Sequence, residues 1–371
     1  MNIIIAGDFS PQLRVADLFE KGKYSTVFPG MQKETEAADY SIVNFECPIV
    51  KVGALPITKQ GPNLKCSAAG AIAVKYAGFN CVTLANNHFR DYGEDGIKES
   101  LKVFREQGLD VVGGGMNLSE ASQILYKDID SKRLAIINCC EHEFSIATET
   151  SAGSNPLNPI QQYYSIQEAK RNADKVLVIV HGGHEHFPLP SPRMVETYRF
   201  FVDAGADAVV NHHQHCYSGY EIYKGCPIFY GLGNFCFDHP DHRDDIWNYG
   251  YLVNISFTEI ATTFKLIPYC QCSDDPSVVL LDENRFEARI DEINAIIADN
   301  KELKHRIDAY YDLCSEECGK VLEPMNNRFY RGAKRRGWLP SLISERRKIY
   351  ASNYIMCESH RDKLIQWLTK L

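Results

Sequence analysis

Short segments that are apolar throughout recur along the first 260 residues of this chain, and segments of helical periodicity separate them. Strands that are apolar at every position, rather than at every second one, are typical of sheets covered on both faces. Alternation of such strands with helices predicts a layered α/β fold with helices flanking the sheets. The predicted strands are Asn2–Ala6, Asp39–Asn44, Asn80–Leu84, Leu109–Val112, Leu134–Asn138, Lys175–Val180, Ala206–Val210 and Pro227–Tyr230.

Glycine marks the ends of three predicted helices, because the residue after a helix often adopts the left-handed conformation. Tyr251–Phe257 and Phe264–Pro268 predict an antiparallel pair that closes the fold. Residues 52–65 and 148–159 carry many glycine, proline, serine and asparagine residues, which predict long loops; such loops are usually lids, binding loops or disordered segments. The helices and their glycines are Ala68–Ala77 with Gly78, Gly96–Gln107 with Gly108, and Arg193–Ala204 with Gly205.

The sequence changes character after about residue 275, where Glu287–Leu313 and Ser341–Leu371 predict helices. We therefore divide the chain into a domain of residues 1–272 and a helical C-terminal extension of residues 273–371. A basic connector with interleaved aromatic residues runs from Arg328 to Trp338. Its charges are expected either to be solvated or to contact an anionic polymer, lipid headgroups or a partner protein.

Charge and cysteine content narrow the class of protein. A net charge of −8 argues against a general nucleic-acid binder, because phosphate binding requires a basic surface. The 13 cysteines form no pair of CxxC motifs, so we expect buried free thiols, which suit a reducing compartment. The chain shows no signal-like N-terminal segment, and no apolar run reaches the roughly 20 residues of a membrane span. We therefore expect a cytoplasmic protein without a transmembrane segment.

Polar side chains of the metal-ligand type follow the ends of six predicted strands. The carboxyl ends of strands in α/β sheets are where ligands bind, because the loops diverge there and leave backbone groups free. Each residue alone has an ordinary explanation as a turn former, a helix cap or a solvated loop histidine. Their recurrence at successive strand ends instead predicts one convergent site. The residues are Asp8, Glu46, Asn87, His88, His181, His213, His215 and Asn234.

These residue types are suited to a divalent metal ion. Carboxylates supply hard oxygen ligands, and imidazole nitrogens suit Mn²⁺, Fe²⁺ or Zn²⁺. His213 and His215 are two residues apart, so both would point to one face of an extended segment. The set could hold one metal ion, or two ions that share a carboxylate and activate water for a displacement at phosphorus.

Six groups of motifs carry a resemblance to a known family. In chain order they are Gly7-Asp8; Asn44-Phe45-Glu46; Leu84-Ala85-Asn86-Asn87-His88 with Asp91-Tyr92-Gly93; His181-Gly182-Gly183-His184-Glu185; Ala204-Gly205-Ala206-Asp207 with His212-His213-Gln214-His215; and Tyr230-Gly231-Leu232-Gly233-Asn234-Phe235. From residue 1 to about 270 the chain resembles the CapA/PgsA family of capsule and poly-γ-glutamate biosynthesis proteins. That family is similar to the calcineurin-like metallophosphoesterases. The resemblance implies a layered calcineurin-like sandwich and metal-dependent hydrolysis.

The resemblance also implies two metal positions. Related phosphoesterases carry an aspartate that bridges the two ions, and Glu46 stands at that position. The implied ligands are Asp8 and His215 for one ion, and Asn87, His181 and His213 for the other.

The sequence departs from the phosphoesterase pattern at several positions. Ser10 stands where a histidine is expected two residues after the first aspartate, and Glu46 has one methylene more than the expected aspartate. Asn211 and Gln214 replace a glycine and a proline around the histidine pair. These departures leave a mononuclear site open.

Catalytic roles follow from the same resemblance. His88 resembles the histidine that protonates the leaving group or holds a phosphoryl oxygen, and Asn87 and Glu46 would act with it. The residues expected to contact substrate are Asp91, Glu185 and Asn234.

The leading hypothesis is a hydrolase of the phosphoester type with one or two divalent metal ions, serving capsule, poly-γ-glutamate or other cell-envelope polymer biosynthesis. Its expected partners are an anionic small molecule or polymer and capsule-biosynthesis proteins. Two alternatives stay open. One is a non-catalytic component of a polymer-synthesis assembly that binds metal or a polyanion. The other is an amide or γ-glutamyl hydrolase, because activated water does not by itself choose phosphorus over carbon.

Overall fold

Two β-sheets packed against each other form the centre of the protein, whose computed structural model describes residues 1–281, 283–314 and 344–369. The basic connector from Arg328 to Trp338 lies outside the described residues. The strands of the described residues are, in chain order, β1 Asn2–Phe9, β2 Tyr40–Phe45, β3 Cys81–Thr83, β4 Asp110–Val112, β5 Gly114–Gly115, β6 Leu125–Ile129, β7 Lys132–Cys140, β8 Gly153–Ser154, β9 Lys175–His181, β10 Ala208–His212, β11 Tyr220–Tyr223, β12 Cys226–Phe229, β13 Asn234–Cys236, β14 Tyr249–Phe257, β15 Thr262–Gln271 and β16 Val278–Leu280.

The strand order brings parallel strands to the middle of both sheets. The first sheet runs β16-β15-β14-β1-β2-β3-β4 with β13 paired to β1, and the second runs β11-β12-β10-β9-β7-β6. Neighbours from β1 to β4 are parallel, as are β7, β9, β10 and β12. Parallel neighbours send their carboxyl ends to the same edge of a sheet, so each sheet has one edge where loops can gather polar side chains.

Helices flank the two sheets. Those of the described residues are α1 Leu13–Glu20, α2 Tyr24–Val27, α3 Met31–Thr35, α4 Ala69–Tyr76, α5 Gly93–Glu106, α6 Leu118–Ala121, α7 Pro159–Asn172, α8 Pro192–Ala204, α9 Glu283–Ala298, α10 Asn300–Leu313, α11 Glu345–Met356 and α12 Glu358–Thr369.

Side-chain alternation along β1 explains why this strand is apolar throughout. Ile3 and Ile5 pack into the core shared with the second sheet, whereas Ile4 and Ala6 pack into the core beneath helices such as α1 and α5. Successive side chains of a strand point to opposite faces, so a strand covered on both faces must be apolar at every position. The predicted layered α/β sandwich with flanking helices is confirmed.

Most sequence-predicted elements are present. Each of the eight predicted strands overlaps an observed one, and β14 and β15 form the predicted antiparallel pair. Gly78, Gly108 and Gly205 follow their helices with φ of +88°, +65° and +119°. The elements that were not predicted are the strands β5, β6, β8, β11, β13 and β16 and the helices α1, α2, α3, α6 and α7.

The segment Glu287–Leu313, which was predicted to be helical, contains two helices, α9 and α10. Asp299 separates them in an extended conformation, and its side chain accepts hydrogen bonds from the amides of Lys301 and Glu302. An aspartate in this position is a favourable helix N-cap, and that capping starts α10 as a separate helix.

The boundary after residue 272 stays a prediction; the first sheet continues past it with β16, which pairs with β15. No helix of the described residues is long and apolar enough to cross a membrane. The cysteines in the described part of the chain are free thiols, most of them buried.

Candidate metal centre

Strand ends from both sheets meet at the candidate site. Asp8 lies near the end of β1, and Glu46 directly follows the parallel strand β2. On the second sheet His181 ends β9, and His213 follows the parallel strand β10. All four side chains are at most 3% exposed, so the strand ends bring their polar groups into a buried space.

A close approach of two glycines fixes the position of Asp8. A Cβ atom on Gly7 would lie 1.8 Å from the carbonyl oxygen of Gly233, which accepts a hydrogen bond from the Asp8 amide. The next residue, Asn234, is paired with Asp8 across the two strands. Only glycine at position 7 permits this contact. The Gly-Asp and Leu-Gly-Asn motifs therefore meet at one point of the fold.

The first group of candidate ligands surrounds one ring nitrogen of His181. Its Nε2 lies 3.0 Å from Asn87 Oδ1, 3.0 Å from His213 Nδ1 and 3.5 Å from Glu46 Oε1. We call these four residues the Asn87 group. A single ring proton at Nε2 can satisfy only one of these three neighbours. Several electron-pair donors thus face one small volume.

The second group consists of Asp8, Glu46 and His215, and we call it the Asp8 group. His215 Nδ1 lies 3.7 Å from Asp8 Oδ2, and His215 Nε2 lies 3.7 Å from Glu46 Oε1. Asp8 also accepts hydrogen bonds from the side chain of Asn44 at 2.7 Å and from the amide of His213 at 3.1 Å. Burial nevertheless raises the pKa of Asp8 to about 6.

Glu46 belongs to both groups, and its surroundings test whether a metal ion fits them. Its side chain is fully buried, and neither carboxylate oxygen has a hydrogen-bond partner in the described residues. Burial, with the neighbouring Asp8 second, raises the pKa of Glu46 well above its ordinary value. A buried carboxylate without donors is costly unless a cation or a proton compensates it. Ligand atoms of Glu46, His181 and His213 lie within 4.8 Å of one another, as do those of Asp8, Glu46 and His215, so both sets fit a divalent metal ion.

His88 lies beside these groups in a separate hydrogen-bonded unit. Its Nδ1 is 2.7 Å from Asp91 Oδ2, and the ammonium of Lys59 is 2.5 Å from Asp91 Oδ1 and 3.1 Å from the same Nδ1. Asp91 also accepts a hydrogen bond from the amide of Leu64. The predicted loop of residues 52–65 thus places Lys59 and Leu64 against Asp91 and holds His88 through its Nδ1.

The histidine pair converges by a route other than the one expected from its spacing. Strand β10 ends at His212, and the following His213 and His215 have φ of +91° and +53°. The expectation that both would share one face of an extended segment was wrong. Left-handed backbone at non-glycine residues costs roughly 1–3 kcal/mol and clusters at functional sites. The irregular backbone directs His213 to the Asn87 group and His215 to the Asp8 group.

The residues expected to contact substrate lie in different surroundings. Asn234 is fully buried and binds His215 Nδ1 through Oδ1 at 2.9 Å, so it orients a candidate ligand. Asp91 is likewise buried and holds His88. Glu185 is half-exposed, with its carboxylate 4.0 Å from His213 Nε2, and is the one of the three that lies at the margin of the site.

Sequence reasoning missed several residues of this region. Asn44 lies on β2, two residues before Glu46, and could have been found from that spacing. His212 has no hydrogen-bond partner on either ring nitrogen in the described residues, and its Nδ1 lies 3.5 Å from Asp8 Oδ1. Burial lowers the pKa of His212 to about 3, so it is neutral. Lys59 and Glu143 come from loops, where no periodic pattern marks them.

The fold and the site together define a two-sheet α/β protein with a candidate metal centre at its strand ends. The sequence profile described as "Bacterial capsule synthesis protein PGA_cap" matches residues 2–239, and the chain belongs to that family.

Curated relatives support this assignment. The chain is 35% identical over 246 residues to the capsule biosynthesis protein CapA of Bacillus anthracis, covering 64% of this chain and 60% of that protein. It is 33% identical over 235 residues to the PGA biosynthesis protein CapA of Bacillus subtilis strain 168, covering 62% of each. The match thus spans about three fifths of the length of these curated relatives.

Solved structures give a more distant likeness. A phosphatase from Mycoplasma pneumoniae is 17% identical with a TM-score of 0.42, covering 77% of this chain and 96% of that one. Because the TM-score is below 0.5, the family assignment rests on the sequence matches.

Proposed function

We propose that this protein is a metal-dependent hydrolase of phosphoester bonds that serves capsule, poly-γ-glutamate or other cell-envelope polymer biosynthesis. One observation carries the proposal. The buried carboxylate of Glu46, which has no hydrogen-bond donor in the described part of the chain, is shared by two groups of candidate ligands, and an aspartate-held histidine lies beside them.

The Asn87 group would hold one divalent ion and the Asp8 group the other, with Glu46 between them. When bound, such ions supply Lewis acidity that polarises a phosphoryl oxygen and lowers the pKa of water. Mn²⁺, Fe²⁺ and Zn²⁺ all suit a mixed set of carboxylate, amide and imidazole ligands. His215 would use Nε2, because its Nδ1 is engaged by Asn234.

His88 would deliver a proton to the leaving group. Asp91 and Lys59 both contact its Nδ1, so Nε2 is the ring nitrogen left for substrate. Asp91 fixes the orientation of the ring through Nδ1. The ammonium of Lys59 pairs with the other carboxylate oxygen of Asp91 and holds that carboxylate in place.

The substrate proposed is an anionic small molecule or polymer, and capsule-biosynthesis proteins are the proposed partners. Binding of nucleic acid is not proposed, because the chain carries a net charge of −8. The cytoplasm stays the predicted compartment, and the free thiols of the described residues support that prediction.

Ser10 favours a second candidate function, a non-catalytic component that binds metal or a polyanion. It stands where related phosphoesterases are expected to have a ligand, and its hydroxyl accepts a hydrogen bond from the side chain of Gln12 at 3.2 Å. A centre with fewer ligands binds its ion more weakly. The amide-hydrolase alternative is distinguished from both by its substrate.

The test is metal content and phosphoesterase activity of the full chain, stripped with a chelator and reloaded with Mn²⁺, Fe²⁺ or Zn²⁺. We expect His213→Ala to lose metal and activity together. His88→Ala should keep the metal and lose about 10²–10⁴-fold in kcat. The exposed His305 on α10 provides the matched control, since His305→Ala should change neither quantity.

Each result has a defined meaning. Turnover that depends on metal and on His88 establishes the hydrolase. Tight metal binding without turnover of any phosphoester favours the binding component, and turnover of γ-glutamyl peptides instead favours the amide hydrolase. Absence of bound metal after reloading overturns the site as described.

A further inference from the structure

The C-terminal helices meet the strand-end loops at a second polar junction. The carboxylate of Glu358, at the start of α12, contacts the amide of His142 at 3.0 Å and its Nδ1 at 2.6 Å. Arg193 on α8 pairs with Glu141 and with Asp362 of α12. These contacts fix the segment between α11 and α12 against the loop that follows β7.

Three side chains of metal-ligand type converge at this junction, and we call them the Cys357 cluster: Glu143, Cys357 and His360. The fully buried sulfur of Cys357 lies 3.8 Å from Glu143 Oε1, and also 3.9 Å from Glu141 Oε2. One ligand atom from each of the three residues lies within 4.8 Å of the others.

His360 gives the independent sign of a missing partner. Its Nδ1 atom is buried and has no hydrogen-bond partner in the described residues. The ring of Tyr354 stacks on it at 5.1 Å and restricts its orientation. A buried ring nitrogen without a partner is energetically costly. Hydrogen bonds between the Cys357 thiol and its neighbours would not remove this cost, because they leave the ring nitrogen of His360 without a partner. A cation bound at Nδ1 would compensate this nitrogen together with the neighbouring carboxylates.

We propose that the Cys357 cluster is a separate binding site for a zinc-class divalent ion. Thiolate, imidazole and carboxylate are the ligands that Zn²⁺ takes in proteins, and the thiolate distinguishes this site from the strand-end groups. Among the described residues, those groups contain only carboxylate, amide and imidazole ligands. On binding, the thiol of Cys357 gives its proton to solvent and its sulfur binds the ion.

The ion would fasten the C-terminal helices to the loop after β7. Glu143 connects this site to the strand-end centre, because its other oxygen, Oε2, accepts a hydrogen bond from Asn87 Nδ2 at 3.3 Å. A metal on Oε1 would therefore also fix the carboxylate that orients Asn87. Partners that orient a ligand in this way typically affect metal affinity 10–100-fold.

The test uses Co²⁺ as the probe, because a thiolate ligand gives a charge-transfer absorption that oxygen and nitrogen ligands lack. The full chain is stripped, kept reduced with a phosphine and titrated with Co²⁺. We expect the thiolate band in the wild type. In Cys357→Ser we expect the band to be absent and the amount of bound metal to fall by one equivalent. Glu46→Gln should keep the band, which separates this site from the proposed hydrolytic centre.

Two further variants guard against misfolding and unspecific effects. His360→Gln keeps the thiol and should weaken the Co²⁺ affinity of the band about 10–100-fold. Cys314→Ser, at the end of α10 and outside every candidate ligand group of the described residues, should leave the band unchanged. A wild-type titration without a thiolate band, or a band that persists in Cys357→Ser, overturns the proposal.

Discussion

The strand-end centre and the Cys357 cluster are built by different parts of the fold. The strand-end centre takes its candidate ligands from two sheets, where parallel strands end together and fix the side chains through the backbone. The Cys357 cluster forms only where α11 and α12 pack on a loop, more than 200 residues away along the chain. The first centre depends on the sheets, and the second depends on docking of the C-terminal extension.

Their chemistry differs in the same way. Oxygen and imidazole ligands around a shared carboxylate suit ions that take part in hydrolysis, whereas a thiolate in the ligand set is typical of ions that hold segments together. Glu143 contacts both places, so the two regions are connected without sharing a ligand. Because no ligand is shared, we expect that disrupting one region weakens metal binding in the other at most through Glu143 and does not abolish it.

Glu46→Gln should give the largest effect, confined to the strand-end centre. The amide keeps the size of the side chain but cannot serve as a charged ligand to both groups, so we expect at least about a hundredfold loss of phosphoesterase kcat/KM. Metal analysis should show loss of ions at the strand ends.

Stability gives the control for the same variant. In the metal-free protein the substitution removes a buried carboxylate for which the described residues offer no donor, so the unfolding temperature in a chelator should stay the same or rise. A variant that keeps metal content and activity would contradict the shared role of Glu46. A variant that loses activity only because it unfolds would also contradict it.

Arg193→Met should act on the docking of the C-terminal extension. It removes the guanidinium between Glu141 and Asp362 and leaves two largely buried carboxylates, at a cost of about 2–4 kcal/mol of unfolding free energy. Denaturant titration measures the loss, and limited proteolysis should cut the C-terminal helices first.

Arg199→Met is the matched control for that change. Arg199 lies on the same helix and pairs with Glu221 of β11, so it should cost less than about 1 kcal/mol and leave the C-terminal helices protected. If both variants lowered the unfolding free energy and exposed the C-terminal helices to protease equally, the contacts of Arg193 would have no specific role in docking the C-terminal extension.

The same contrast explains what the sequence could predict. Asp8, Glu46 and His181 follow apolar strands, and such strands converge because parallel neighbours end at one edge. Hydrophobic periodicity and motifs were therefore enough to predict the main strands, the polar residues at their ends and the main candidate ligands. Edge strands such as β6 and β11 escaped because their side chains are only half-buried and lack the apolar signal.

The junction residues could not be predicted in this way. Cys357 and His360 lie in a polar helical segment whose packing partner, the loop with Glu143, is set by tertiary structure alone. Lys59 reaches His88 and Asp91 from an irregular loop, for which no spacing rule applies. The left-handed backbone of His213 and His215 likewise depends on their surroundings rather than on local preference.

Tyr311→Phe tests the extension with the smallest expected effect. The hydroxyl of Tyr311 on α10 is 3.1 Å from Nε2 of the buried His184, whose Nδ1 has no hydrogen-bond partner in the described residues. Its removal should cost about 1–2 kcal/mol without a change in the denaturant m-value. Tyr163→Phe, a half-exposed position on α7, should cost less than about 0.5 kcal/mol.

Activity decides what the Tyr311 result means for the two regions. His184 lies three residues after His181 but has no place in either strand-end group, so kcat should stay within twofold of the wild type. A tenfold loss of kcat with only 1–2 kcal/mol of destabilisation would show that contacts of α10 affect the activity of the strand-end centre. The extension would then contribute to catalysis through α10, independently of any metal at Cys357.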